Sequence, residues 1–251
     1  MDHKKLKIGF IMDPLERLEI KTDSSLFLIK EGVKRGHNVH YLIDNDLFVE
    51  NGVAFGYSFD ITTKDKTKVK LEDFDVLFIR KDPPFNMDYI YMTYILELVE
   101  DKVMCLNHPS SVRSVNEKFY TQHFPTLAPK TLISKNPDEI ENFLSKHEKG
   151  IIKPLDMKGG EGIHMLTKND RQIIEEATED GTKYMVTQEF LEGIKTKGDK
   201  RILLLNGEPL NALLRIPKEG DFKGNICAGA KAVKTEITPR EQEICSQLSP
   251  I

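Results

Sequence analysis

Residues 151–166 read IIKPLDMKGGEGIHML, and the turn in the middle of this stretch decides the fold. An apolar run carries Lys153, breaks at Pro154, passes through Gly159-Gly160-Glu161-Gly162, and resumes with Ile163 and Met165. Glycines tolerate φ > 0 and let backbone N–H groups approach an anion closely. No helix pattern opens after them, so the stretch matches neither a dinucleotide fingerprint nor a P-loop, both of which lead into a helix. The expectation is strand-loop-strand. Alternation places Ile151 and Lys153 on one face and Ile152 on the other. A lysine in an apolar strand is costly unless its ammonium finds water or a partner. A snorkelling surface lysine beside a glycine-rich turn meets that demand, and so does a phosphate held under the loop.

Upstream, LKIGFIM (6–12) predicts a buried strand ended by Asp13-Pro14. Thr22-Asp23-Ser24 offers a helix N-cap, Leu26, Ile29 and Val33 share a helix face, Gly36 stops it, and VHYLI (39–43) returns as a strand. Such a unit builds a parallel sheet. An excursion hairpin over 52–70, a strand at 75–80 closed by Lys81-Asp-Pro-Pro84, a helix over 88–99 and a strand at 103–106 complete an open α/β domain. A bridging helix over 111–123 leads to a second domain. It holds strands at 131–133, 150–155, 163–166 and 184–188 and helices at 137–147 and 173–177. The hairpin RILLLNGEPLNALLRI turns at Asn206-Gly207. This second domain is expected to be mainly antiparallel with helices on one side. Thr238-Pro239-Arg240-Glu241 is a capping box that starts a last helix. Its apolar face (Ile244, Leu248, Ile251) runs to the final residue, which suggests a chain that continues. The expected fold is therefore an α/β domain over 1–118 followed by a partial α+β domain over 119–251.

The 251 residues are 39% apolar and 30% charged, with a net charge of −4. That balance leaves no electrostatic footprint for nucleic acid. No apolar run reaches the ~20 residues of a membrane span, and the N-terminus lacks the apolar core of a signal peptide. Cys105, Cys227 and Cys245 are widely spaced without a CxxC, so neither a disulfide framework nor a zinc site is indicated and the cytosol is the default compartment. The seven histidines fall at no metal-ligand spacing.

Further cationic and glycine-bearing stretches stand beside the 151–166 loop. Lys118 sits in Asn116-Glu117-Lys118 on the bridging helix. Asp199-Lys200-Arg201 opens a strand and suits a ribose and a phosphate, or a plain ion pair. Residues 215–231 form a long glycine-bearing basic loop of the kind used as a lid or tolerated as an insertion.

Taken in order, MDP, DSSLFLIKEGVKRGH, RKDPPFNMDYIYMTYILE, LNHPSSVRSVNEK, IIKPLDMKGGEGI, GDKRILLLNGEP and RIPKEGDFKGNICAGA closely resemble the bacterial glutathione synthetases, ligases with an ATP-grasp fold. The resemblance spans essentially the whole chain. It implies ATP-dependent joining of γ-glutamylcysteine to glycine through an acyl phosphate, with ADP and phosphate released. By motif it implies that Lys118, Lys153 and the Gly159-Gly160 backbone hold the ATP phosphates. Gln188, Glu189, Phe190 and Leu191 would meet adenine, with Asp199 at the nucleotide. Arg201 and Arg215 would serve catalysis. The loops bearing Ser24, Ser25, Arg80 and Lys81 would face the dipeptide, and the 215–231 loop, including Asn225 and Gly229, would cover the reacting centre. The family is commonly oligomeric, which implies a homo-oligomer here. Another ATP-grasp carboxylate-amine ligase, or a non-catalytic nucleotide-binding module, remains an alternative.

Two departures from the family pattern stand out. Met157 occupies a position where glycine is usual, and a φ > 0 there would be strained. The family's Mg²⁺ ligands lie beyond residue 251, no metal site is assigned within the chain, and the carboxylates of Glu139 and Glu141 fall in a predicted helix. The resemblance thus implies an inactive 251-residue form.

Overall fold

The computed structural model describes residues 4–221, 224–226 and 229–248. Compact units divide between Asn116 and Glu117.

The first unit is built on a seven-stranded sheet. Its strands are β1 (Lys7–Ile11), β2 (Asn38–Leu42), β3 (Leu47–Glu50), β4 (Val53–Asp60), β5 (Lys66–Lys70), β6 (Val76–Ile79) and β7 (Met104–Leu106). β2, β1, β6 and β7 lie parallel in that order, while β3, β4 and β5 add an antiparallel margin. Helix α1 (Ser24–Lys34) starts where Asp23 accepts the Leu26 amide, and α2 (Met87–Glu97) where Asn86 accepts the Tyr89 amide. Both caps are the short polar residues that favour this role. Ile29 of α1 is buried, but Val33 is exposed, so the apolar face is shorter than its spacing suggests.

The expected helix over 111–123 is two pieces: α3 (Pro109–Ser114) and a 3₁₀ turn at Tyr120–His123. Val115 leaves helical geometry (φ −106°, ψ 77°), and residues 117–119 form a turn. Lys118 therefore sits on a turn, not a helix. Val and Asn at 115–116 have modest helix propensity and carry no buried stripe to override it.

The second unit holds a four-stranded antiparallel sheet in the order β10-β9-β11-β8: β8 (Thr131–Ser134), β9 (Gly150–Pro154), β10 (His164–Leu166) and β11 (Met185–Glu189). Helices α4 (Pro137–Leu144) and α5 (Arg171–Ala177) cover one face, burying Ile140, Leu144 and Ile174 against Ile152, Leu166 and Met185. Burying such a cluster supplies most of the local stability, at roughly 1.5–3 kcal/mol per large aliphatic side chain. A three-stranded sheet, β12 (Asp199–Leu205), β13 (Glu208–Ile216) and β14 (Lys231–Thr235), follows the short helix α6 (Gly193–Lys197). Asn206 (φ 50°) and Gly207 (φ 80°) make the turn that the sequence signals. β14 and α6 are elements the sequence reading did not include; five residues each give too little periodicity. α7 (Pro239–Leu248) opens on the expected capping box, with Thr238 and Glu241 bonding reciprocally. Its buried residue is Cys245, flanked by half-buried Ile244 and Leu248; Ile251 lies outside the described residues.

Candidate nucleotide site

Register decides which side chains meet. Gln188 pairs with Ile151 on one side and Thr131 on the other; Val186 pairs with Lys153 and Ile133. Cross-strand partners point the same way. Thr131, Ile151, Lys153, Val186 and Gln188 thus share the sheet face turned away from α4 and α5. Ile152 is fully buried on the other face, so the alternation expected at Lys153 holds. Lys153 neither snorkels to the surface nor lies idle: its Nζ donates to Gln188 Oε1 at 2.6 Å.

The glycine loop is the strand-loop-strand expected, with β9 and β10 antiparallel on either side. Gly159 (φ 68°), Gly160 (φ 89°) and Gly162 (φ 67°) all occupy the left-handed region that L side chains avoid. Met157 does not belong to the positive-φ set, so the strain expected there is absent. Its side chain is compatible with the loop, and its carbonyl accepts from Lys118 Nζ at 2.6 Å. Lys118 Nζ also reaches the Leu155 carbonyl at 3.4 Å and the Glu117 carboxylate at 2.7 Å. Burial pushes the Lys153 ammonium below the ordinary lysine range; the nearby Lys118 charge pushes the same way, while Glu117 opposes. Two ammonium groups thus stand beside the glycine loop, one of them partly withdrawn from water.

Beyond these cations a cavity of about 220 Å³, open to solvent, is lined by Pro129, Ile151, Ile163, Leu191 and Ile194 with Gln188, Asp199 and Asn225. Its walls are apolar enough for a flat aromatic ring. The segment 188–191 forms one edge. Glu189 donates its amide to the Lys130 carbonyl at 3.0 Å and takes the Lys130 amide on its carboxylate at 2.9 Å, so its side chain anchors the strand. The Leu191 amide has no partner among the described residues, while its carbonyl accepts from Ile194.

Asp199 and Arg215 are cross-strand partners locked by a forked pair, with Nη2 at 2.6 and 2.8 Å and Nε at 3.0 Å. Arg201 lies on the same face of β12 as Asp199, exposed. Gly224 lies against Asp199; a Cβ there would come within 2.9 Å of the Asp199 Cβ. Asn225 and Gly229 belong to a turn in which the Asn225 carbonyl accepts from Ala230 and the Ile226 carbonyl from Gly229. Lys231, expected in the loop, starts β14. Cys227 and loop positions 222, 223 and 228 lie outside the described residues.

In the first unit Arg80 donates to Ser24 Oγ at 2.6 Å and Ser25 Oγ at 3.1 Å, gathering three of the four expected substrate residues. Lys81 instead pairs with Asp13 at 2.7 Å, largely shielded from solvent. Sequence reasoning did not single out Thr131, Pro129 or Ile194. Thr131 alone carried a signal, a hydroxyl on the pocket-facing register of β8. Among the described residues no group of three or more His, Cys, Asp or Glu side chains could hold a metal ion. No helix among them is long and apolar enough to cross a membrane.

Residues 6–113 match the family model described as prokaryotic glutathione synthetase, N-terminal domain, and residues 117–251 that of the ATP-grasp domain. The glutathione synthetase of Escherichia coli (strain K12) is 38% identical over 260 residues, covering 98% of this chain and 82% of that protein. The Gloeobacter violaceus glutathione synthetase is 40% identical over 264 residues, covering 98% and 81%. Among solved structures, the D-cycloserine synthetase DcsG superposes with a TM-score of 0.69 at 11% identity, covering 97% of this chain and 80% of that one. The D-alanyl-alanine synthetase A of Vibrio cholerae gives 0.62 at 14%, covering 99% and 80%. At such identities these two show the fold alone.

Proposed function

The chain belongs to the prokaryotic glutathione synthetase family, an N-terminal domain followed by an ATP-grasp domain, and from that premise we propose how its residues serve the ligation of γ-glutamylcysteine to glycine. ATP is a substrate of this ATP-dependent ligase. Its adenine occupies the apolar slot beside 188–191, taking the Leu191 amide on a ring nitrogen. Its phosphates lie between Lys153, Lys118 and the amides of Gly159 and Gly160. The single observation that carries this reading is the half-buried Lys153 ammonium, set beside a second lysine and three left-handed glycines.

The reaction gathers negative charge twice. The dipeptide carboxylate attacks the γ-phosphorus, releasing ADP and leaving an acyl phosphate. The glycine amine then adds to the acyl carbon, and phosphate departs as the amine loses a proton. Neither step asks the protein for a nucleophile. The lysines and loop amides act by position and by electrostatic stabilisation. Arg201, on the Asp199 face of its sheet, is the exposed guanidinium for a phosphate. Arg215, already clamped by Asp199, orients that carboxylate toward the ribose and serves catalysis less directly than its motif implied. Arg80 with Ser24 and Ser25 takes a dipeptide carboxylate, and Lys81 holds that loop through Asp13. Asn225 and Gly229 border the substrate as part of the covering loop. Mg²⁺ accompanies ATP in this reading, but the described residues offer it no cage of three donors, and no step is routed through it. The unpaired Cys105 and Cys245 suit a reducing, cytoplasmic setting.

The reading is tested by calorimetry on this chain. ADP and γ-glutamylcysteine are expected to bind, D-alanine is not, and Lys153→Met is expected to lower ADP affinity at least about tenfold, as loss of a charged hydrogen bond would. Undiminished ADP binding by Lys153→Met would sink the phosphate assignment.

A further inference from the structure

We propose that Thr131 is a positioning residue for Lys153, acting through the side-chain amide of Gln188. The proposal rests on the reading of Lys153 as a phosphate contact. Three hydrogen bonds run across the sheet in one line: Thr131 Oγ1 to the Pro129 carbonyl at 2.8 Å, Gln188 Nε2 to Thr131 Oγ1 at 2.8 Å, and Lys153 Nζ to Gln188 Oε1 at 2.6 Å.

The direction of this chain is forced by its ends. A carbonyl oxygen can only accept and an ammonium can only donate. Thr131 has one hydroxyl proton, and it goes to Pro129. Its oxygen therefore accepts from Gln188, which leaves the Gln188 oxygen, not its NH₂, facing Lys153. Gln188 is 6% exposed, so water is a poor substitute for either partner. Without the Thr131 hydroxyl the amide can turn over and set its NH₂ against the ammonium, donor against donor. Lys153 would then lose the one side-chain acceptor it has among the described residues, while Lys118 continues to repel it. In the intact arrangement one ammonium proton is committed to Gln188 and two remain for phosphate oxygens. A single hydroxyl at the start of β8 thus decides where the charge of Lys153 is held.

The test uses calorimetric titration of the 251-residue chain with ADP and, separately, adenosine. Thr131→Val keeps the branched shape and removes the hydroxyl. It is expected to weaken ADP about fivefold, the size of one neutral hydrogen bond, and to weaken adenosine less, since adenosine has no phosphate for Lys153. Thr131→Ala must behave like Thr131→Val, which covers the case of a misfolded variant. Thr131→Ser, which restores the hydroxyl, must return ADP affinity to the wild-type value. The double variant Thr131→Val/Lys153→Met must bind ADP no worse than Lys153→Met alone, because residues acting in series are not additive. ADP affinity unaltered by Thr131→Val, adenosine weakened as much as ADP, no rescue by serine, or additive losses would each overturn the proposal. Any of these, with Lys153→Met still impaired, would leave the phosphate reading standing. Wild-type ADP affinity in Lys153→Met, or no ADP binding by the parent chain, would overturn both.

Discussion

Lys153 shows how one residue's chemistry is changed by its surroundings. Burial and Lys118 favour its neutral form, whereas a bound phosphate favours the charged one. The free ammonium therefore deprotonates at a lower pH than an ordinary lysine, and ligand binding raises its pKa again. The sign is fixed: ADP binding should take up a proton in the alkaline window between the two values, and affinity should fall as pH rises through it. Titrations in buffers of different ionisation enthalpy should reveal this uptake, and Lys153→Met should abolish it. Met157 gives the opposite lesson. It replaces a glycine usual in the family, yet its backbone stays outside the left-handed region. Met157→Gly should relieve nothing. It should cost about 0.5–1 kcal/mol through the greater freedom of the unfolded chain, read as a lower urea midpoint, while ADP affinity stays unchanged.

The clearest local signals became elements with little adjustment. Asp23 caps its helix, Asn206-Gly207 turns its hairpin, and Thr238 and Glu241 close a capping box. Each depends on contacts a few residues apart, so sequence carries them. Thr238→Ala should destabilise α7 by about 1 kcal/mol, visible as faster amide exchange in 239–248. The carboxylate of Glu241 is held below the ordinary range chiefly by Lys200, with the Thr238 amide second. Its contribution is accordingly present above the usual glutamate pKa and is lost as pH falls through the depressed value. Signals failed where no short-range cause exists. The helix over 111–123 broke because nothing buries its middle, and α6 and β14 are short pieces ordered by neighbours distant in sequence.

At the scale of the whole molecule, family membership carries the activity, and the expected homo-oligomer remains a proposal. A stripe along α2 and its C-cap, Met87, Tyr91, Tyr94 and Leu98, leaves each residue about half exposed (48–55%). Spacings of four, three and four place them on one helix face, and a patch of this kind marks an interaction surface. A second copy covering it is expected to give a sedimentation mass at least twice that of one chain, and Tyr91→Glu to return the single-chain mass. A single-chain mass for the parent protein at micromolar concentration would refute this.

Motif order alone pointed to the family, glycine spacing to the strand-loop-strand, and the resemblance to a shared phosphate role proposed for Lys118 and Lys153. The turn follows from residue type, because left-handed backbone needs glycine. Tertiary structure decided what no spacing encodes: that Lys118 lies on a turn and grips the Met157 carbonyl, that Arg215 is committed to Asp199, and that Thr131 and Gln188 stand in line with Lys153. The reason is register. Strands 131–134, 150–154 and 185–189 are far apart in sequence, and only their hydrogen-bonded alignment brings a threonine, a glutamine and a lysine onto one face.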